Sequence, residues 1–240
     1  MSNILIIDTA TEACSIALKS NGQLFNFFEI APRQHGELVL PNVDKLLKEA
    51  NISLAEVDVI GFGRGPGAFT GLRICISIVQ GLAYGANIPV VGVSSLQAMA
   101  QSCFERDKQH NILAAIDARM GEVYWGQYRE NQGIMELVGA EQVISPESVV
   151  VKAQTLPDNN SRSVIYRAVG TGWQTYAQAL SRAANVPTII EHEMSYPNAI
   201  YMFPMVEKLF AEGKAVSAEL AQPVYLRNDV AKKKEHQKKV

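Results

Sequence analysis

With 240 residues, 48% of them apolar and 19% charged, the chain has the composition of a soluble globular protein with room for one large domain or two small ones. A net charge of -2 excludes a global pull toward nucleic acid. The start, MSNILIIDTATEA, has no basic leader, and no apolar run is expected to reach bilayer-spanning length, so a cytoplasmic protein without membrane contact is expected.

In chain order, residues 4–8 (ILIID), 14–19 and 23–30 read as strands, with Asn21-Gly22 closing a hairpin between the second and third. A helix-period stretch over about 36–50 puts Val39, Val43, Leu46, Leu47 and Ala50 on one face. A strand at 57–63, a helix from Thr70 to about Ala86, a strand at 90–94 and a helix from Ser95 follow. The second half repeats this order. Strands at 111–117, 122–128 and 133–138 precede a short helix opening at Ser145-Pro146-Glu147. Then come a strand at 164–169, a helix over about 172–182, a short strand near 188–190, and a helix with Ser195 as cap and Pro197 in its first turn.

Two βββαβα halves, each with a trailing βα, predict an α/β fold of the duplicated ribonuclease-H-like type, the actin-like ATPase (ASKHA) arrangement of sugar kinases, actin and Hsp70. The lobes divide at 106/107, with the 195–213 helix packing back on the N-terminal lobe and 231–240 a disordered tail. In that fold the hairpin after each half's first strand holds nucleotide phosphates. DTATEA from Asp8 offers small polar residues there, so Asp8, Thr9 and Thr11 are candidates for a weak nucleotide contact, and Asp8 reads equally as a strand-end carboxylate capping its turn. DARMGEVY from Asp117 puts Arg119 and Met120 where a phosphate needs close backbone, and Asp117 reads as a turn cap.

The loop GFGRGPGAFTGLR, residues 61–73, sits between a strand and a helix but lacks the Lys and hydroxyl of a Walker loop and fails GxGxxG in each register. Cys14, Cys75 and Cys103 are odd in number, far apart and in apolar surroundings, the pattern of reduced buried thiols. His35, His110, His192 and His236 lie in unrelated segments, there is no GxSxG elbow, and HEMSY lacks the second histidine of HExxH, so neither a metal site nor a hydrolase is expected. The GTG at 170–172 fits a tight strand-to-helix turn or a nucleotide loop.

IDTATEACSIAL, GRGPGAFTGLRI, PVVGVSSLQAMA and DARMGEVYWGQY together resemble the TsaB (YeaZ) family of bacterial tRNA threonylcarbamoyladenosine synthesis, specifically through about residue 130. The resemblance implies a non-catalytic partner of a paralogue, TsaD, in a heterodimer that works with the ATPase TsaE and meets tRNA through the complex. It implies no cofactor of the chain's own, ATP or ADP being ligands of the complex, and a homodimer when the partner is missing. TsaD carries two metal-binding histidines at HxxxH spacing where this chain has Ser95 and Met99, so no catalytic residue and no metal are expected. It also bears on the 70–86 helix. Leu72, Cys75, Ile76, Val79, Leu82 and Ala83 form a face for the chain's own sheet, while Ile74, Ile78, Gly81 and Gly85 form a second. That second face is either interior, in a wholly buried helix, or a shared interface with Leu38, Val39 and Thr70. On the latter reading GPGAFTG is a docking hinge whose glycines supply unusual backbone angles and whose Thr70 caps the helix. The tail AKKKEHQKKV, with five lysines, reads as a solvated end or as a tRNA phosphate contact. The alternatives in other classes are a free-standing actin-like ATPase or small-molecule kinase, and a peptidase, for which no catalytic constellation is present.

Overall fold

A computed structural model describes residues 2–152, 164–191, 193 and 195–227. His192, His236 and the lysine-rich tail, each singled out in the sequence, lie outside the described residues.

Strand β1 (Ile4–Asp8) is buried on both faces, which is why it reads as an unbroken apolar run: Leu5 and Ile7 enter one core, Ile4 and Ile6 another. Strands β2 (Ala13–Ser20) and β3 (Gln23–Ile30) pair antiparallel around Asn21-Gly22, whose φ values of 50° and 78° are those a two-residue hairpin turn requires. Helix α1 (His35–Glu49), strand β4 (Val59–Gly65), helix α2 (Phe69–Ala86), strand β5 (Val90–Ser94) and helix α3 (Ser95–Asp107) complete the first half. Its sheet has the order β3-β2-β1-β4-β5, with β4 and β5 parallel to β1.

The second half repeats this topology. Strands β6 (Asn111–Arg119), β7 (Glu122–Asn131) and β8 (Ile134–Leu137) form the meander. A further strand, β9 (Gln142–Ile144), pairs with the start of β7; residues 142–144 were not expected as a strand because so short a run has no period of its own. Then come β10 (Tyr166–Val169), α4 (Thr171–Ala184), β11 (Thr188–Glu191) and α5 (Phe203–Ala211), giving the order β8-β7-β6-β10-β11, the counterpart of the first sheet.

Two helix expectations are corrected. Residues 146–148 form one 3-10 turn rather than a short α-helix. The final helix begins at Phe203, not Ser195: Ser195 is buried with its hydroxyl against Gln174, Asn198 caps a 3-10 turn over 199–201 instead, and Pro204 rather than Pro197 occupies the first helical turn.

The last helix of each half covers the other half's sheet. Leu96, Met99, Ala100 and Cys103 of α3 pack on Ile112, Ala114 and Ile116 of β6, while Phe203, Met205 and Val206 of α5 pack on Ile4, Ile6, Val59 and Val91. This exchange welds the lobes, and polar contacts reinforce it. Gln101 bonds the Gly133 carbonyl and the Met135 amide at 2.9 and 2.8 Å, and the Glu141 carboxylate accepts from both Ser94 and Tyr128. Helix α2 has the length and apolarity of a membrane span, with a mean hydropathy of 1.2, contrary to the expectation that no run approaches it. One of its faces nevertheless covers β4, with Leu72, Cys75, Ile76, Val79 and Ala83 in the core.

Candidate docking surface

At the first hairpin, where an actin-like fold holds nucleotide phosphates, the β1–β2 loop packs against the glycine loop. Asp8 is fully buried; its Oδ1 accepts from the Ala10 amide at 3.0 Å and its Oδ2 from the Ser95 hydroxyl at 3.2 Å. It therefore caps its own turn, one of the two roles its sequence allowed. Burial pushes its carboxyl up to about 6, against the lowering effect of those two bonds. The hydroxyl of Thr9, also buried, donates to the Gly71 carbonyl at 2.8 Å, and the Ala68 amide donates to the Ala10 carbonyl at 2.7 Å. Thr11 is buried as well, with its carbonyl on His35 Nε2 at 2.9 Å. The expected nucleotide contacts are thus interior groups with their bonds already made.

The glycine loop follows from this. A Cβ on Gly67 would lie 2.1 Å from the Ala10 carbonyl oxygen, and one on Gly71 would lie 2.1 Å from that of Thr9. These glycines permit backbone contact between the glycine loop and the β1–β2 loop; only Gly65, with φ of 96°, supplies an unusual backbone angle. Thr70 is not the cap of α2. The cap position is Ala68, which has no side-chain bond to give, and the helix start is fixed by the backbone contacts to Thr9 and Ala10.

At the second hairpin, Asp117 is half-buried and caps the turn through the Arg119 amide at 2.8 Å, as its sequence context suggested. Arg119, Met120 and Gly121 all have positive φ. A strap formed by residues 218–227 runs from the first lobe to this hairpin. Gln80 bonds the Ala221 carbonyl, the Val224 amide bonds the Arg64 carbonyl at 2.8 Å, and Arg227 donates to the carbonyls of Ala118 and Arg119 and to Glu122.

Ser95 and Met99, at the positions of the paired histidines, face inward: Ser95 bonds Asp8 and Met99 is wholly buried in the α3 core. Among the described residues no cluster of three His, Cys, Asp or Glu side chains is arranged to hold a metal. All three cysteines are free and buried, and burial pushes the thiols of Cys14 and Cys103 up to about 12 and that of Cys75 higher still, so none is a ready nucleophile.

Between α1 and α2 lies an open groove of about 560 Å³, lined by Gly36, Leu40, Phe69, Thr70, Arg73, Ile74, Ser77 and Ile78. Three residues expected at an interface, Thr70, Ile74 and Ile78, line it, whereas Leu38, two residues from both Gly36 and Leu40, lies on the other side of α1, half-buried against the core of the first lobe. Gly81 and Gly85 continue the same side of α2 and are exposed, with nothing within 4 Å of where a Cβ would stand. Val39 does not belong to this surface. It is fully buried because, with Val43 and Leu46, it forms the face of α1 that packs on the sheet. The reading of α2 as a wholly buried helix is likewise excluded by this outer face. The structure adds Leu40 and Phe69, 48% and 53% exposed, and Tyr84, 74% exposed. Leu40 lies off the apolar period of α1 and Phe69 precedes that of α2, so periodicity did not reach them.

The family described as TsaD, tRNA N6-adenosine threonylcarbamoyltransferase, matches residues 29–237. The chain is 45% identical to the tRNA threonylcarbamoyladenosine biosynthesis protein TsaB of Escherichia coli over 96% of its length and 97% of that protein. It is 40% identical to the protein of the same name from Haemophilus influenzae, over 96% of each chain. The solved structure of YeaZ from Pseudomonas aeruginosa, 42% identical, superposes with a TM-score of 0.83 over 94% of this chain and the whole of that one.

Proposed function

Because the chain belongs to the TsaB (YeaZ) branch of the TsaD family and serves tRNA threonylcarbamoyladenosine biosynthesis, we propose that it does so as a cytoplasmic, non-catalytic subunit that docks TsaD through the α1/α2 groove. The observation that carries this reading is the outer side of α2. Glycine in a helix interior costs roughly 0.5–1 kcal/mol relative to alanine. Gly81 and Gly85 incur that cost with no packing reason inside this chain, since open space surrounds both. Close approach by another backbone supplies the reason, and Ile74, Ile78, Phe69 and Leu40 supply apolar area around it. When TsaD is missing, the same face is free to pair with a second copy.

The packing of the first hairpin on the glycine loop supports the non-catalytic part of the proposal. With Thr9 and Ala10 bonded to the glycine loop, the residues present do not fit a phosphate at the place the fold usually offers, and ATP or ADP belongs on this reading to the assembled complex with TsaE. Ser95 and Met99 give TsaD-type metal chemistry no ligands. Reconstitution tests the proposal: TsaD, TsaE, tRNA and the threonylcarbamoyl donor should modify tRNA only when this chain is added, while this chain with the same components but no TsaD should give none. Modification without TsaD, or undiminished modification without this chain, would refute it.

A further inference from the structure

Arg73 is the one charged residue of α2, and its guanidinium is held in place. Its Cζ lies 3.8 Å from the centroid of the Phe69 ring, and its Nε donates to the Tyr225 hydroxyl at 3.4 Å. The Phe69 and Tyr225 rings are themselves 5.5 Å apart, tilted by 35°. Tyr225 belongs to the strap, so a segment more than 150 residues away in sequence orients this side chain. Among the described residues Arg73 has no ion pair, and its two terminal amino groups make no hydrogen bond. A planar guanidinium with one face on a ring and Nε engaged presents its remaining fork as a preorganised reader of carboxylate oxygens.

This fork lines the α1/α2 groove, whose other lining side chains are apolar or hydroxylic. A partner that covers the groove removes water from Arg73, and a desolvated cation without a counter-charge is costly. The occupant must therefore bring an anion to this point. We propose that Arg73, positioned by Phe69 and Tyr225, pairs with a carboxylate on the TsaD surface that docks in the α1/α2 groove, and so fixes the register of an otherwise apolar interface. This rests on the docking reading above and names the chemistry that the partner brings to it. Tyr225 acts here as a positioning residue.

Titration of full-length variants into purified TsaD, at low and high salt and alongside thermal melts, tests the assignment. Arg73→Glu should weaken binding about a hundredfold with an unchanged melt, and Arg73→Lys, which keeps the charge but loses the fork, about tenfold. Arg73→Gln should remove most of the salt dependence seen with the unmodified chain. Tyr225→Phe, which keeps the ring but frees Nε, should weaken binding about threefold while leaving the salt dependence in place. If Arg73→Glu binds TsaD normally while Ile78→Glu does not, the carboxylate pairing is wrong and the docking surface stands; if both bind normally, the docking surface itself is wrong. Loss of self-association by Arg73→Glu with TsaD binding intact would assign the fork to a second copy of this chain and overturn the proposal.

Discussion

Helices α2 and α4 hold the same place in the two lobes, each following the parallel strand next to the central one, yet they differ in what they show to solvent. The exposed positions of α4 are Gln174, Thr175, Gln178, Ser181 and Arg182, all polar. The exposed positions of α2 are Phe69, Thr70, Arg73, Ser77, Gly81, Tyr84 and Gly85, so two aromatics and two glycines stand among three polar residues, with half-buried Ile74 and Ile78 between them. A duplicated topology requires only the inner faces to match, since those faces build the cores: Leu72, Cys75 and Val79 on one side, Trp173, Leu180 and Ala184 on the other. The outer faces are free to diverge. In this chain one lobe has a polar, solvated helix and the other presents exposed aromatic and glycine positions beside an open groove.

The contrast extends along α2 itself, from a welded end at Gly71 to an open end at Gly85, and substitutions separate the two. Gly71→Ala drives a methyl into the Thr9 carbonyl, a backbone atom that cannot turn aside, and should destabilise the chain by about 3 kcal/mol in a denaturant melt. Asp8→Asn is the next largest, and its size depends on pH. The Asp8 carboxyl is raised from 3.8 to about 6 in the fold, so its protonated form is the favoured one. Its contribution to stability is greatest below pH 3.8, declines as pH rises to about 6, and is then constant. Asparagine can still accept from Ala10 and donate to Ser95 without a charge to bury. Asp8→Asn should therefore be more stable than the unmodified chain at pH 7, by up to about 3 kcal/mol, and lose that advantage below about pH 4. The equivalent change in the other lobe, Asp117→Asn, should shift stability by less than about 0.5 kcal/mol, because Asp117 is half-exposed and asparagine keeps the bond to the Arg119 amide. At the open end, Gly81→Ala and Gly85→Ala should each raise stability by roughly 0.5–1 kcal/mol and at the same time weaken TsaD binding. Stabilisation without any loss of binding would show that the glycines serve no interface.

Much of this was legible in the sequence. The Asn21-Gly22 turn, the repeated strand-and-helix order and the two faces of α2 each rest on local periodicity or turn chemistry, and the structure follows them. The outer side of α2 was legible too, through Ile74, Ile78 and the glycine pair. What periodicity missed depends on contacts between distant segments. Arg73 and Phe69 acquire their arrangement from Tyr225, Thr9 is interior because the glycine loop closes over it, Thr11 is buried with its carbonyl on His35 of α1, and Ser195 faces Gln174 instead of capping a helix. Val39 was misplaced for a related reason: as part of the inward face of α1 it could serve only one surface, and the sheet has it.

The central claim, that the outer face of α2 is where TsaD docks, is tested most directly by titrating Ile78→Glu into TsaD with a thermal melt of the same sample. Ile78 is half-buried at the groove wall and also packs against the edge of the first lobe's core, so in the free chain Ile78→Glu should lower stability by about 1 kcal/mol while leaving the chain folded. In the complex the carboxylate is buried without a partner, at a cost of several kcal/mol against the roughly 8 kcal/mol of a micromolar association, and binding should be lost. A folded Ile78→Glu chain that binds TsaD as the unmodified chain does would contradict the account.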